Sequence, residues 1–234
     1  MSTSFAIRAD GISKSYGNCH AVRNLSLQIH SCKMTGITGP SGSGKTTLLQ
    51  ILGGLLAPDT GEVTIHGTNI NALRDRQRTI FRRRHTAFVF QDFNLLPNLT
   101  AKENILLPLL LAHQGTTDAE ERLATLLETL GLAAVANRFP EQMSGGEQQR
   151  TAIARALISD AEECILFADE PTGSLDSRTG ETLCKLLRSL VDEQGRTVLV
   201  VTHSPQVIKY CDTVLRLRDG AIQQPQHTST RPSK

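Results

Sequence analysis

Three short stretches hold the residues whose types and spacing could do chemistry. The first is Gly39-Pro40-Ser41-Gly42-Ser43-Gly44-Lys45-Thr46, followed by Thr47. Its glycines let backbone N–H groups turn toward phosphate oxygens without Cβ clashes. Lys45 is spaced to reach the β- and γ-phosphates, and the Thr46 hydroxyl to join a Mg²⁺ shell. A chance match in a chain of 234 residues is on the order of one in a hundred. The second is Asp169-Glu170, directly after the apolar run Ile165-Leu166-Phe167-Ala168. An acid at the end of such a strand can complete the metal site, and its neighbour can orient and deprotonate an attacking water. The third is Met143-Ser144-Gly145-Gly146-Glu147-Gln148-Gln149-Arg150, which alone predicts a helix capped by Ser144, with Glu147 closing a capping box.

The elements that must position these residues follow from periodicity. Phe5–Ala9 and Leu25–Ile29 alternate as strands around the turn-rich Lys14–Asn18. Met34–Thr38 is a strand leading into the glycine loop, and Thr46–Leu52 is the helix after it, whose positive end faces the phosphates. Further strands are expected at Glu62–His66, Thr86–Phe90, Cys164–Ala168 and Thr197–Thr202, with helices at Glu147–Ile158 and Arg178–Asp192. Leucines at helical spacing from Thr100 to about Asn137 predict a small helical region. Helices between apolar strands imply βαβ units and a parallel sheet, whose strand C-termini gather at the ligand. Asp219-Gly220 predicts a hairpin between Val214–Leu217 and Ala221–Ile222. We expect one domain over residues 1–222, its helical part near 95–160, and a disordered tail from Gln223.

In this order, the three stretches resemble the ATP-binding subunits of ABC transporters, over about residues 5–222. Met143–Arg150 resembles the family's signature, although Met143 stands where leucine is usual and Glu147 where glutamine is usual. Gln91 resembles the Q-loop glutamine, Gly173-Ser174-Leu175-Asp176 the D-loop, His203 the switch histidine, and Tyr16 the aromatic residue that stacks on adenine. The resemblance implies an α/β P-loop core with a mostly parallel sheet, an N-terminal antiparallel β subdomain and a small helical subdomain. It also implies Mg²⁺-dependent ATP hydrolysis in a head-to-tail homodimer. Glu170, Gln91 and His203 would then serve catalysis. Thr46, Gln91 and Asp169 would hold Mg²⁺, with ATP bound between residues 39–47 and Tyr16 of one chain and Ser144, Gly145 and Gly146 of the other, and Asp176 is also counted among the ATP-binding residues.

The stretches 52–63 and 91–109 resemble the ATPases of lipoprotein-release, macrolide-export and antimicrobial-peptide-resistance systems. That likeness implies a separate membrane permease as partner, docking near Asp92–Pro97, with this chain on the cytoplasmic face of the membrane. Soluble ABC-type ATPases of DNA repair or translation are the alternative. The interval between phosphate loop and signature holds no sustained heptads, however, and there is one ATPase unit rather than two. A plain P-loop kinase or GTPase leaves the signature, Gln91 and His203 unexplained.

Composition narrows the field from the other side. With 25 Lys and Arg against 23 Asp and Glu, the chain lacks the strongly basic balance of nucleic-acid binders, and no nucleic-acid partner is expected. The arginines from Arg74 to Arg84 could meet lipid headgroups or nucleic acid, but no aromatics interleave them, and a solvated helix face is expected. The longest apolar run, Ile105–Ala112, is far short of the about 20 residues of a membrane span. Five cysteines with no C-x-x-C pair point to a reducing compartment.

Overall fold

A computed structural model describes residues 4–112, 118–159 and 164–227, the last four through their backbone only. The first two strands, β1 (Phe5–Tyr16) and β2 (Cys19–His30), are longer than their apolar alternation predicts. Gly11 and Asn24 both take positive φ. Two serine hydroxyls, from Ser26 to Gly11 N–H and from Ser13 to Asn24 N–H, satisfy the backbone at these irregularities (both 2.9 Å). The ladder therefore survives the polar stretch as bulges.

β3 (Met34–Thr38) leads to α1 (Lys45–Leu52), then β4 (Thr60–Ile65), the short β5 (Thr68–Asn69), α2 (Asp75–His85) and β6 (Thr86–Val89). Helices α3 (Ala101–Leu111), α4 (Ala119–Thr129) and α5 (Gly145–Leu157) fill the middle of the chain. β7 (Ile165–Asp169), α6 (Ser177–Asp192), β8 (Thr197–Val201), α7 (Pro205–Ile208), β9 (Thr213–Arg218) and β10 (Ala221–His227) follow. Strand β10 pairs with β9 as far as His227 opposite Thr213, so residues 223–227 are ladder, not the start of a tail. The rest of the expected tail, 228–234, lies outside the described residues.

Two sheets result. An antiparallel one runs β2-β1-β4-β5, and a six-stranded one runs β10-β9-β3-β8-β7-β6, parallel except at the β10 edge. The larger sheet divides the core by simple alternation. Ile165 and Phe167 of β7, with Leu199 and Val201 of β8, face the antiparallel sheet and α1. Leu166 and Ala168, with Val198 and Val200, face the side on which α3, α4, α5 and α6 pack. Strands covered on both faces carry unbroken apolar runs, which is why β7 and β8 show no polar alternation. Helix α2, by contrast, has no buried residue. As expected it is largely a solvated face, although Arg82 reaches back to the Gly54 carbonyl.

The connection from β6 to α3 is organised by a residue that the periodicity did not single out. Asn104, fully buried, accepts from Leu96 N–H (2.8 Å) and donates to the carbonyls of Leu96, Leu99 and Thr100 (2.9–3.1 Å). Thr100 and Glu103 form a capping box at the same turn. Asn104→Leu would take this partner from Leu96 N–H and the Leu99 carbonyl, each a loss of about 1–3 kcal/mol, while the Leu96 and Thr100 carbonyls keep backbone donors. Urea denaturation should register at least about 2 kcal/mol of destabilisation. An unchanged midpoint would show that the loop is held otherwise.

Candidate active site

Because β3, β6, β7 and β8 are parallel and in register, their C-termini open onto one edge of the sheet. The glycine loop leaves β3, Gln91 follows β6, Asp169 ends β7, and Thr202-His203 follows β8. All contribute to a cleft of about 520 Å³. Gly39, Ser41, Gly42, Gly44, Lys45, Thr46, Thr47, Gln91, Asp169, Glu170, His203 and Tyr16 line it. Of the other residues expected there, Pro40 accepts a bond from Lys45 Nζ at 2.7 Å, and Ser43 is buried within the loop.

The glycine loop is shaped by close backbone approach. Gly44 has φ of 95°, and a methyl group there would stand 1.9 Å from the Ala21 carbonyl oxygen. A methyl on Gly39 would meet the Leu217 carbonyl at 2.1 Å. No side chain fits either position. The Lys45 ammonium is folded onto the loop, donating to the Gly39 carbonyl at 2.9 Å as well as to Pro40.

Asp169 is 4% exposed, and this burial pushes its carboxyl above the usual aspartate range. A hydrogen bond from Thr46 and the charge of Lys45 oppose the shift. A carboxylate held this way gains from a nearby cation. Glu170 follows in a left-handed conformation, φ 47°, uncommon for a residue with a long side chain. Its N–H is anchored on the Val201 carbonyl at 2.9 Å. Its carboxylate accepts from the Thr202 hydroxyl at 3.3 Å and lies 2.7 Å from His203 Nδ1. Tyr16 is half exposed at the cleft mouth, with Lys14 Nζ 5.9 Å from its ring centroid.

Ser144, Gly145, Gly146 and Asp176 do not line this cleft. Ser144 caps α5 through the expected capping box: its Oγ accepts from Glu147 N–H, while the Glu147 carboxylate accepts from Ser144 N–H at 2.7 Å and Oγ at 2.8 Å. The first-turn amides of Gly145 and Gly146 therefore lie at an exposed helix N-terminus suited to an anion. Asp176 caps α6, accepting from the N–H groups of Arg178 and Thr179. The two segments touch: a methyl on Gly146 would stand 3.7 Å from both the Ser174 carbonyl and Leu175 Cδ2.

A model of the family "ABC transporter" matches residues 22–173, glycine loop, signature stretch and Asp169-Glu170 included. The chain belongs to the ABC transporter family. It is 42% identical to the lipoprotein-releasing system ATP-binding protein LolD of Bacteroides fragilis, over 92% of this chain and 99% of that one. It is 46% identical to the ABC transporter ATP-binding protein MJ0796 of Methanocaldococcus jannaschii, over 87% and 88%. A dimeric structure of the MJ0796 cassette bound to ADP and Pi superposes with a TM-score of 0.89 at 41% identity, covering 94% of this chain and 98% of that one. The macrolide export ATP-binding/permease protein MacB of Syntrophobacter fumaroxidans matches at 44% over 86% of this chain, which spans 28% of that longer protein. The expected α/β P-loop architecture of an ABC ATPase is thereby borne out.

Several residues of this ABC site were not singled out from sequence. Ala21 and Val201 line the cleft, and Thr202 steadies Glu170. Thr202 was readable only as the end of an apolar strand.

The capping box also has a pH signature. Hydrogen bonds from Ser144 hold the Glu147 carboxyl below its ordinary value of 4.5. A depressed folded-state pKa contributes stability that is complete above the unfolded value and lost as pH falls through the folded one. Glu147→Gln should thus melt below wild type at pH 7, with the gap closing on acidification below 4.5. A gap independent of pH would mean that the charge contributes nothing.

Proposed function

We propose that this chain is the ATP-hydrolysing subunit that closes as a homodimer around two ATPs and drives a separate membrane permease of the lipoprotein-release or export type. The observation that carries the reading is the convergence of Lys45, Gln91, Asp169, Glu170 and His203 on one cleft. Backbone N–H groups of the glycine loop and the N-terminus of α1 bind the triphosphate, Lys45 moves from the loop carbonyls to the β- and γ-phosphates, and Tyr16 stacks on adenine. Thr46, Gln91 and Asp169 would hold Mg²⁺, which when bound neutralises charge on the phosphate oxygens. The burial of Asp169 and its bond to Thr46 suit that donor set.

Glu170, steadied by Thr202 and His203, orients a water and takes its proton as the oxygen bonds to the γ-phosphorus. The bridging P–O bond breaks, its electrons leave with ADP, and phosphate remains. Ser144, Gly145, Gly146 and Asp176 lie outside their own chain's cleft, so a second copy brings Ser144 and the Gly145 and Gly146 amides to the γ-phosphate across a two-fold interface, with Asp176 beside them in the composite site.

Glu170→Gln should still bind Mg-ATP while hydrolysing it about 10²–10⁴-fold more slowly. In saturating Mg-ATP the variant should also be dimeric by light scattering. Near-normal turnover would remove Glu170 from the role of base.

A second hollow, about 410 Å³, supports the permease reading. Phe88, Phe90, Leu96, Leu107, Pro108 and Leu111 make its apolar lining, with Arg83 and Arg155 beside them. Asn104 fixes the backbone of Leu96 while its side chain stays 45% exposed, and Leu111 is 51% exposed. A short amphipathic helix of the permease fits such a groove. No helix among the described residues is long and apolar enough to cross a membrane, and the permease would hold this subunit at the cytoplasmic face. Leu96→Asp should abolish permease-stimulated ATPase while leaving ATP binding by the isolated subunit intact. Normal stimulation by a folded variant would place the dock elsewhere.

A further inference from the structure

The loop that leaves Gln91 is bent in an unusual way. Phe93 and Asn94 are consecutive residues with φ of 60° and 49°. Left-handed backbone is disfavoured at an ordinary L-residue; asparagine tolerates it through its short polar side chain, but phenylalanine does not. The carbonyls of both residues turn toward one guanidinium, that of Arg155 on α5. Its Nη1 donates to the Asn94 oxygen at 2.6 Å and its Nη2 to the Phe93 oxygen at 2.8 Å. Charge-assisted bonds of this kind are about twice as strong as neutral ones. Among the described residues Arg155 has no carboxylate partner, and burial pulls its pKa down. A part-buried cation set against two carbonyls is a costly way to fill space. Helix α5 also begins at the signature residues, about 16 Å away along its axis.

We propose that Arg155 is a positioning residue: its clamp on the Phe93 and Asn94 carbonyls holds the Gln91 loop in the conformation that presents Gln91 to Mg²⁺ and ties that loop to the helix bearing Ser144. The inference rests on the reading of Gln91 given above. It extends that reading by naming what sets the loop and how the loop and the signature helix move together.

The test compares wild type with Arg155→Met, which keeps bulk but has no donor, and Arg155→Lys, which keeps one charged donor. Two readouts are taken: amide hydrogen exchange of the peptide covering residues 92–96, and the Mg²⁺ concentration giving half-maximal ATPase. The Met variant should exchange at least tenfold faster in this peptide and need several-fold more Mg²⁺, and the Lys variant should fall between. Met behaving as wild type in both readouts overturns the proposal. Faster exchange with an unchanged Mg²⁺ requirement also overturns it, because the clamp would then be structural only. Failure of both variants to fold assigns Arg155 to the fold and overturns it as well. A wild-type chain without ATPase activity would sink the function reading, whereas the exchange contrast would still decide whether Arg155 holds the loop.

Discussion

Everything at the site depends on the ladder of buried parallel strands. Ile37 of β3 and Asp169 of β7 are both paired with Val201 of β8, and Val89 of β6 with Ala168. Four chain segments therefore leave the sheet within about one residue's rise of one another. A one-residue slip would turn Asp169 from the edge into the opposite face, because side chains alternate along a strand. The ladder is secured by apolar residues that never touch the site, such as Phe167 stacked on Phe88 at 4.9 Å. Register is the mechanism by which core packing becomes catalytic geometry.

On that edge the electrostatics are deliberately unbalanced. Asp169 and Glu170 are adjacent acids, the charge of Glu170 adding to the burial that disfavours ionisation of Asp169, and Lys45 lines the cleft beside them. Lys45 satisfies itself on loop carbonyls, and Glu170 leans on His203 and Thr202. These are exchangeable partners: each can be traded for a phosphate oxygen, a cation or a water without breaking the fold. The rigid parts are backbone instead, with the Gly44–Ala21 and Gly39–Leu217 approaches leaving the loop no room to relax. Fixed backbone and mobile charge are the combination that phosphoryl chemistry favours, since it needs positioning more than covalent help.

How much of this was legible in the sequence depended on the range of the interaction. The glycine loop, the capping box at Ser144 and the apolar strands are local patterns, and each lies within a residue or two of its expected place. The N-terminal strands were read too short because Gly11, Asn24 and the Lys14–Asn18 stretch look like breaks. Their bulges are rescued by Ser13 and Ser26, partners from across the ladder. Gln91 and His203 carried no chemistry of their own in the sequence and were found only by resemblance. Asn104 and Arg155 were missed for the same physical reason as the bulges. A polar residue within a helix looks solvated until the loop it binds, up to 62 residues distant, is known.

Those missed residues are the ones that join the site's parts. Gly173 N–H returns to the Glu170 carbonyl at 3.1 Å, so the turn after Glu170 is compact and delivers Ser174 and Leu175 against Gly146. From the far end of the same helix Arg155 reaches Phe93 and Asn94, two and three residues beyond Gln91. Helix α5 is thus held at its start by the segment following Glu170 and near its end by the segment following Gln91. A helix is stiff along its axis, whereas the loops it touches are not. Both loops are therefore fastened to one stiff body, which also carries Ser144 and, through Arg155 and Ala156, part of the wall of the Leu96 groove. On the proposed reading, α5 is the element that joins the nucleotide cleft to the Leu96 groove, through one fastening at each end.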